Sequence, residues 1–209
     1  MLDLTLLLAF LGAACVLTVT PGVDTAMVLR AATIDGRHSA VFASIGIALG
    51  CLIWGAAVSL GLGTILRASD WAYTILKSAG AAYLLWLGAK LLLEPRDELD
   101  ASTLQPVSIG LRGAFSRGFL TNLLNPKIGV FYVTFLPQFV PVGANIAGYS
   151  FFLAVLHVAL TLVWFTALIT ATVPLGKVLR SPKAIKTLDR LTGLVLVTFG
   201  LKLAASSAR

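Results

Sequence analysis

Six long apolar runs order this sequence, at about 4 to 29, 40 to 66, 71 to 93, 118 to 140, 148 to 173 and 190 to 205, with short polar joints between them. Each is near the roughly 20 residues that a helix needs to cross a bilayer, the last being the shortest. The pattern predicts an all-α, polytopic membrane protein of six transmembrane helices. One sizeable polar stretch, 94 to 117, opens with Glu94-Pro95-Arg96-Asp97-Glu98 and divides the runs into two sets of three. The chain therefore reads as a single transmembrane domain over 1–209. A first repeat spans about 1–93, a linker without catalytic motifs about 94–117, and a second repeat about 118–209.

The two sets share letters as well as spacing. Leu62-Gly63-Thr64-Ile65-Leu66-Arg67 recurs as Leu175-Gly176-Lys177-Val178-Leu179-Arg180, and the same shift of 113 carries Lys77 and Gly80 onto Arg190 and Gly193. A shift of 112 carries Gly88 and Lys90 onto Gly200 and Lys202, one of 110 carries Trp54 onto Trp164, and one of 105 carries Pro21 onto Pro126. Because three is odd, a second copy must enter the membrane from the opposite face, which makes the architecture two inverted three-helix repeats. In the second run Gly46 and Gly50 form a GxxxG step that Ala43, Ala57 and Gly61 extend. Close packing within the bundle is the favoured reading of that face, with a homodimer as the weaker alternative.

Composition agrees. With 58% hydrophobic and 12% charged residues, and a mean hydropathy of +0.93, the chain has too few charges to cover a soluble surface. Its net charge of +7 does not point to nucleic acid, because the basic residues are spread over short joints without an aromatic platform. They fit membrane orientation instead. With both termini outside, Arg30, Arg37, Lys90, Arg96, Arg112, Arg117, Lys177, Arg180, Lys183, Lys186 and Arg190 fall inside, against Arg67, Lys77, Lys202 and Arg209 outside. Only Lys127 is left within a run. The first run carries Asp3 and no Lys or Arg at its start, so it reads as a retained span and not a signal peptide, despite Gly12-Ala13-Ala14-Cys15. Cys15 and Cys51 form no CxxC pair and read as buried, inert thiols.

Asp24 is the one carboxylate set within a long apolar run. Pro21 lacks an amide hydrogen and Gly22 adds freedom, so the first helix should break or kink just before Asp24. Irregular backbone at membrane depth survives only where it lines a cavity or is buried in protein. An ionisable residue there is a functional candidate; the alternative is an Asp that caps an interfacial helix. The second repeat holds the matching irregularity, Thr121-Asn122-Leu123-Leu124-Asn125-Pro126-Lys127, in which Pro126 again frees a carbonyl one turn upstream. Lys127 lies ten residues past Arg117, about 15 Å along a helix. An Asp and a Lys at similar depth are expected to pair, as a structural bridge, as a binding site, or as both. His157 reads as a proton relay or, more simply, as a hydrogen-bonded histidine of the bundle. Trp71 suits an interface belt and Trp54, Trp86 and Trp164 suit packing. Phosphate loops, metal-ligand clusters and nucleophile motifs are missing from the sequence, so neither cofactor nor enzyme activity is expected.

Pro21-Gly22-Val23-Asp24 ending the first run, with Asn125-Pro126-Lys127 opening the fourth, resembles the LysE/RhtB family of bacterial amino-acid exporters. The resemblance covers essentially the whole chain, including the stretch from Leu123 to Phe139, and departs from the family at Val23, where a second proline often stands. It implies secondary active export of amino acids or related small metabolites from the cytoplasm across the bacterial inner membrane, coupled to proton influx by alternating access. It also implies a substrate and proton site at Pro21, Gly22, Asp24, Thr25, Asn122, Asn125, Pro126 and Lys127. Half-helix N-termini after the two breaks would attract the substrate carboxylate, and Asp24 its ammonium or a proton. Two alternatives stand beside it. A thiol carrier of the cytochrome-c-biogenesis type would place one cysteine in each half, whereas Cys15 and Cys51 share the first. A non-transporting assembly protein would leave Asp24 and Lys127 without a role.

Overall fold

The computed structural model describes residues 3–68, 70–96, 110–172, 178, 179 and 181–205, without the side chains of 62–68, 70, 72, 73 and 76. The linker beyond Arg96, most of the 175–180 repeat word and the side chains of its partner at 62–67 therefore lie outside the described residues. What is described is helical, with no strand. Helix α1 (Leu4–Val19) starts where the Asp3 carboxylate accepts the Leu6 amide at 3.1 Å. A break at 20–22 separates it from α2 (Val23–Arg30), which continues as a π-turn over Ala31–Asp35. Helices α3 (Arg37–Ala68) and α4 (Asp70–Leu93) complete the first set.

The second set begins with α5 (Leu111–Leu123), earlier than the apolar run suggests, so Arg112 and Arg117 are helical and not part of a loop. A second break leads to the single turn α6 (Pro126–Val130), a π-turn over Phe131–Phe135 and a 3-10 turn over Leu136–Phe139. Helix α7 (Ile146–Thr170) is capped by Asn145, whose side-chain Oδ1 accepts the Gly148 amide at 2.8 Å. Helix α8 (Pro182–Ala205) begins eight residues before the expected 190. Ser181 caps it by accepting the Ala184 amide at 3.3 Å, and Pro182 sits at the first helical position, where its missing N–H costs nothing.

Arg37–Gly61 of α3 and all of α7 are long and apolar enough to cross a bilayer, and the bent pair from Leu4 to Asp35, angled by 53°, makes a third if it is one span. Their outward faces expose Leu8, Ile45, Ile53, Phe151 and Val163, a surface that suits lipid better than water. Inside, Phe10, Phe131, Phe135 and Phe139 are fully or almost fully buried and stack against one another and Phe199. Trp86 departs from expectation: it faces outwards beside Tyr83 and Lys90 instead of packing inside.

Glycine sets the close approaches. A Cβ on Gly46 of α3 would sit 2.8 Å from the Phe119 amide nitrogen of α5, and one on Gly118 would sit 2.9 Å from the Ala43 carbonyl carbon. Ala43, Gly46 and Gly50 of the small-residue face thus pack against α5 within the chain, whereas Ala57 is exposed and Gly61 has open space around it. Helices α4 and α8 likewise cross at Gly88 and Gly193, where either Cβ would lie within 3 Å of the other's carbonyl oxygen. Backbone cannot move aside as a side chain can, so Gly46→Val or Gly118→Val should lower stability in detergent by about 2 kcal/mol or more, read by thermal unfolding. Gly12→Ala, with nothing near its Cβ, should leave the unfolding temperature unchanged.

Candidate membrane-embedded site

The first break follows from Pro21. Lacking an N–H, it leaves the Leu17 carbonyl without its helical partner, and the extended backbone at Thr20 and Gly22 frees the Thr20 and Pro21 carbonyls too. Gly22 contributes less than expected. Its φ of −144° is open to any residue, and a Cβ there would meet the Lys127 ammonium nitrogen at an ordinary 3.8 Å. At the second break the Asn122 carbonyl that Pro126 abandons is taken locally by the Asn125 amide at 3.0 Å. The carbonyl left for another element is that of Leu123, which accepts the Trp54 indole N–H at 3.2 Å.

Asp24 does not cap its helix. Gly22 holds that position without a side-chain bond, and the carboxylate turns to the other break, where Oδ2 accepts the Asn122 amide at 2.8 Å and the Asn125 amide at 3.4 Å. Lys127 reaches the opposite way: its ammonium donates to the Leu17 and Thr20 carbonyls, both at 3.3 Å. The two charges therefore do not touch, contrary to the pairing expected of them. Each is instead held across the interface by the broken segment of the other set. Asp24 also stands in the first turn of α2, and Lys127 closes the C-terminal carbonyls of α1, the helix ends that suit their signs.

This arrangement leaves binding capacity unused. Oδ1 of Asp24 and Oδ1 of Asn122 are buried without a hydrogen-bond partner, and a lysine ammonium has a third hydrogen beyond the two that Leu17 and Thr20 accept. These groups line a small cavity of about 40 Å³, room for a few waters. Of the residues expected at the site, Gly22, Asp24, Thr25, Asn122, Asn125 and Lys127 line this cavity, while Pro21 and Pro126 shape the breaks behind it. Sequence reasoning missed Thr20, Cys51, Thr161 and Phe165 on its wall. A signal was there for α7: His157, Thr161 and Phe165 are spaced by four and so share one helix face. His157 is buried on that wall and shares a 2.9 Å hydrogen bond through Nδ1 with the Tyr132 hydroxyl. Of the two thiols, Cys51 is buried as expected whereas Cys15 is exposed, and they are not bonded to each other.

The larger omission is Arg96, at the start of the supposedly inert linker. Its guanidinium grips Asp189 of α8 through Nη2 at 2.6 Å and Nε at 3.0 Å, its backbone amide adds a third bond at 3.0 Å, and Nη2 also donates to the Pro21 carbonyl at 2.7 Å. Asp189 is fully buried. It interrupts a buried stripe of Ile185, Thr192, Leu196 and Leu203, an acid on an apolar face that only a partner from elsewhere could satisfy. One turn on, the Thr192 hydroxyl is hydrogen-bonded to that of Thr20 at the first break. Beside the second break the corresponding flank is open, a cleft of about 360 Å³ lined by Trp54, Gly80, Tyr83, Asn125, Pro126 and Thr134.

The family model for LysE type translocators matches residues 15–207. The chain is 31% identical to the Uncharacterized membrane protein YrhP of Bacillus subtilis (strain 168), over 96% of this chain and 99% of that protein. It is 29% identical to a Leucine efflux protein of Klebsiella pneumoniae, covering 94% and 93% of the two chains, and 31% identical to a Threonine efflux protein of Salmonella typhi, covering 90% and 91%. No solved structure matches. A family model that spans nearly the whole chain, relatives aligned almost end to end and helices with lipid-facing apolar surfaces agree: this chain is a membrane protein of the LysE type translocator family.

Proposed function

We propose that the chain exports an amino acid, or a close derivative, from the cytoplasm across the bacterial inner membrane, in exchange for protons and by alternating access. The observation that carries this reading is the site between the two breaks, where a buried Asp24 oxygen without a partner and a Lys127 ammonium with a hydrogen to spare line one cavity. An α-amino acid is a zwitterion and presents the complementary pair, an ammonium for Asp24 and a carboxylate for Lys127. The names of the leucine and threonine efflux relatives agree with that substrate class. Coupling follows from competition, because a proton and a substrate amine claim the same carboxylate. Pro21, Gly22, Thr25, Asn122, Asn125 and Pro126 then act as the frame that holds the two charges in place.

The architecture belongs to the same reading: six spans over one domain, in two inverted repeats, with both termini outside. Three features support it. Each set opens with a helix broken at a proline and followed by a short helix and a π-turn, at 20–35 and 124–135. Helices at matching places pack on each other, α3 on α7 and α4 on α8. The basic residues Arg30, Arg37, Arg112, Arg117, Lys183 and Arg190 gather at the ends that this orientation puts in the cytoplasm.

Asp24→Asn keeps the shape of the side chain and removes its charge, so it should reduce export to background while membrane insertion and unfolding temperature stay as in the wild type. Comparing metabolites inside and outside cells measures this, and export at the wild-type rate would defeat the role of Asp24. Asn122→Ala removes one hydrogen bond to a charged group, worth about 1.5–3 kcal/mol, and should weaken substrate affinity roughly tenfold or more in vesicle uptake assays. With Cys15 and Cys51 replaced by serine, a single cysteine near residue 100 should react with an impermeant maleimide only after the cells are opened, whereas one placed at either terminus should react in intact cells.

A further inference from the structure

The two breaks flank one cavity, but their outer sides differ. Next to the first break the flank is bonded together: Arg96 ties Asp189 to the Pro21 carbonyl, and Thr192 bonds Thr20. Thr20 and Gly22 themselves line the cavity, so these bonds act directly on its wall. Next to the second break the cleft beside Pro126 is open, and Asn125 lines both that cleft and the cavity. Repeat matching places Pro21 on Pro126 and Gly193 on Gly80, so the bonded flank and the open flank are counterparts.

From this asymmetry we infer that the Arg96–Asp189 ion pair, with the Thr20–Thr192 contact, is the cytoplasmic gate of the transport path, and that the cleft beside Pro126, Gly80 and Tyr83 is its outward vestibule. The assignment rests on the export reading and on the orientation that goes with it. The chemistry suits a gate. Arg96 is 39% exposed at its side chain while Asp189 is fully buried, so the pair opens by withdrawal of the arginine. Its fork is bidentate, which makes closure geometrically specific. Because the same Nη2 holds the Pro21 carbonyl, withdrawal releases α8 and the Asp24-bearing segment together. Arg96 and Asp189 are thus positioning residues that act on the site through Pro21 and Thr20.

Cys51 lines the cavity and is buried, and Cys15 is the only other thiol in the sequence. In a Cys15→Ser background, alkylation of Cys51 by an impermeant maleimide therefore reports which face the cavity opens to. Neutralising both partners together, Arg96→Gln with Asp189→Asn, should raise the labelling rate from the cytoplasmic face of inside-out vesicles at least about tenfold, the effect of a one-decade shift in the closed-to-open ratio. The rate from the outer face should not rise, and the exchanged pair, Arg96→Asp with Asp189→Arg, should restore slow labelling. An unchanged cytoplasmic rate, or an equal rise from both faces, would overturn the gate. If the neutralised pair does not fold, Thr192→Val, which leaves both charges in place, must itself raise the cytoplasmic rate severalfold, and no rise would overturn the gate equally. Labelling requires no transported substrate, so a gate that responds as stated in a protein that exports nothing would overturn the export reading alone.

Discussion

A proline that removes one amide hydrogen from α1 sets the terms for everything around it. In a bilayer no water waits to satisfy the carbonyls that the break releases, so the protein must supply donors. It supplies two cations from distant parts of the chain: Lys127 closes the Leu17 and Thr20 carbonyls, and Arg96 closes that of Pro21. Cations inside a membrane are themselves costly, and the negative end of a broken helix is one of the few places that suits them. The break and the cations therefore justify each other. The second break does the reciprocal service, since its asparagine amides hold the Asp24 carboxylate.

This reciprocity explains why Asp24 and Lys127 share a cavity without touching. A direct bridge would satisfy both charges and leave little for a ligand. Solvation by amides and carbonyls keeps each charge tolerable while leaving one carboxylate oxygen and one ammonium hydrogen uncommitted. The same division of labour separates Asp24 and Lys127, which face the cavity, from Arg96 and Asp189, which bind each other just outside it.

Much of this was legible in the letters. Pro21 and Pro126 announce the breaks because an imino acid cannot donate, and Asp24 stands out because an apolar run makes a charge conspicuous. The partner of Lys127 was not legible, since backbone carbonyls carry no letter and which of them a long side chain reaches is decided by tertiary packing. Arg96 was hidden for a different reason: a basic residue in a polar stretch looks solvated. Asp189 sat in a segment whose lysines and arginines suggested a loop, although Ser181 and Pro182 form a good helix start. The direction in which Cys15 faces depends on helix rotation, which a nearly uniform apolar run does not encode.

The crossing of α4 and α8 at Gly88 and Gly193 bears on how such a bundle can move. There main chain rests on main chain, as it does where Gly46 and Gly118 bring α3 and α5 together, while Leu84, Leu87, Leu91 and Leu196 pack around the contact. Two rods seated so closely leave no slack between them. They travel as one body, and displacement within the bundle falls to the seams around it.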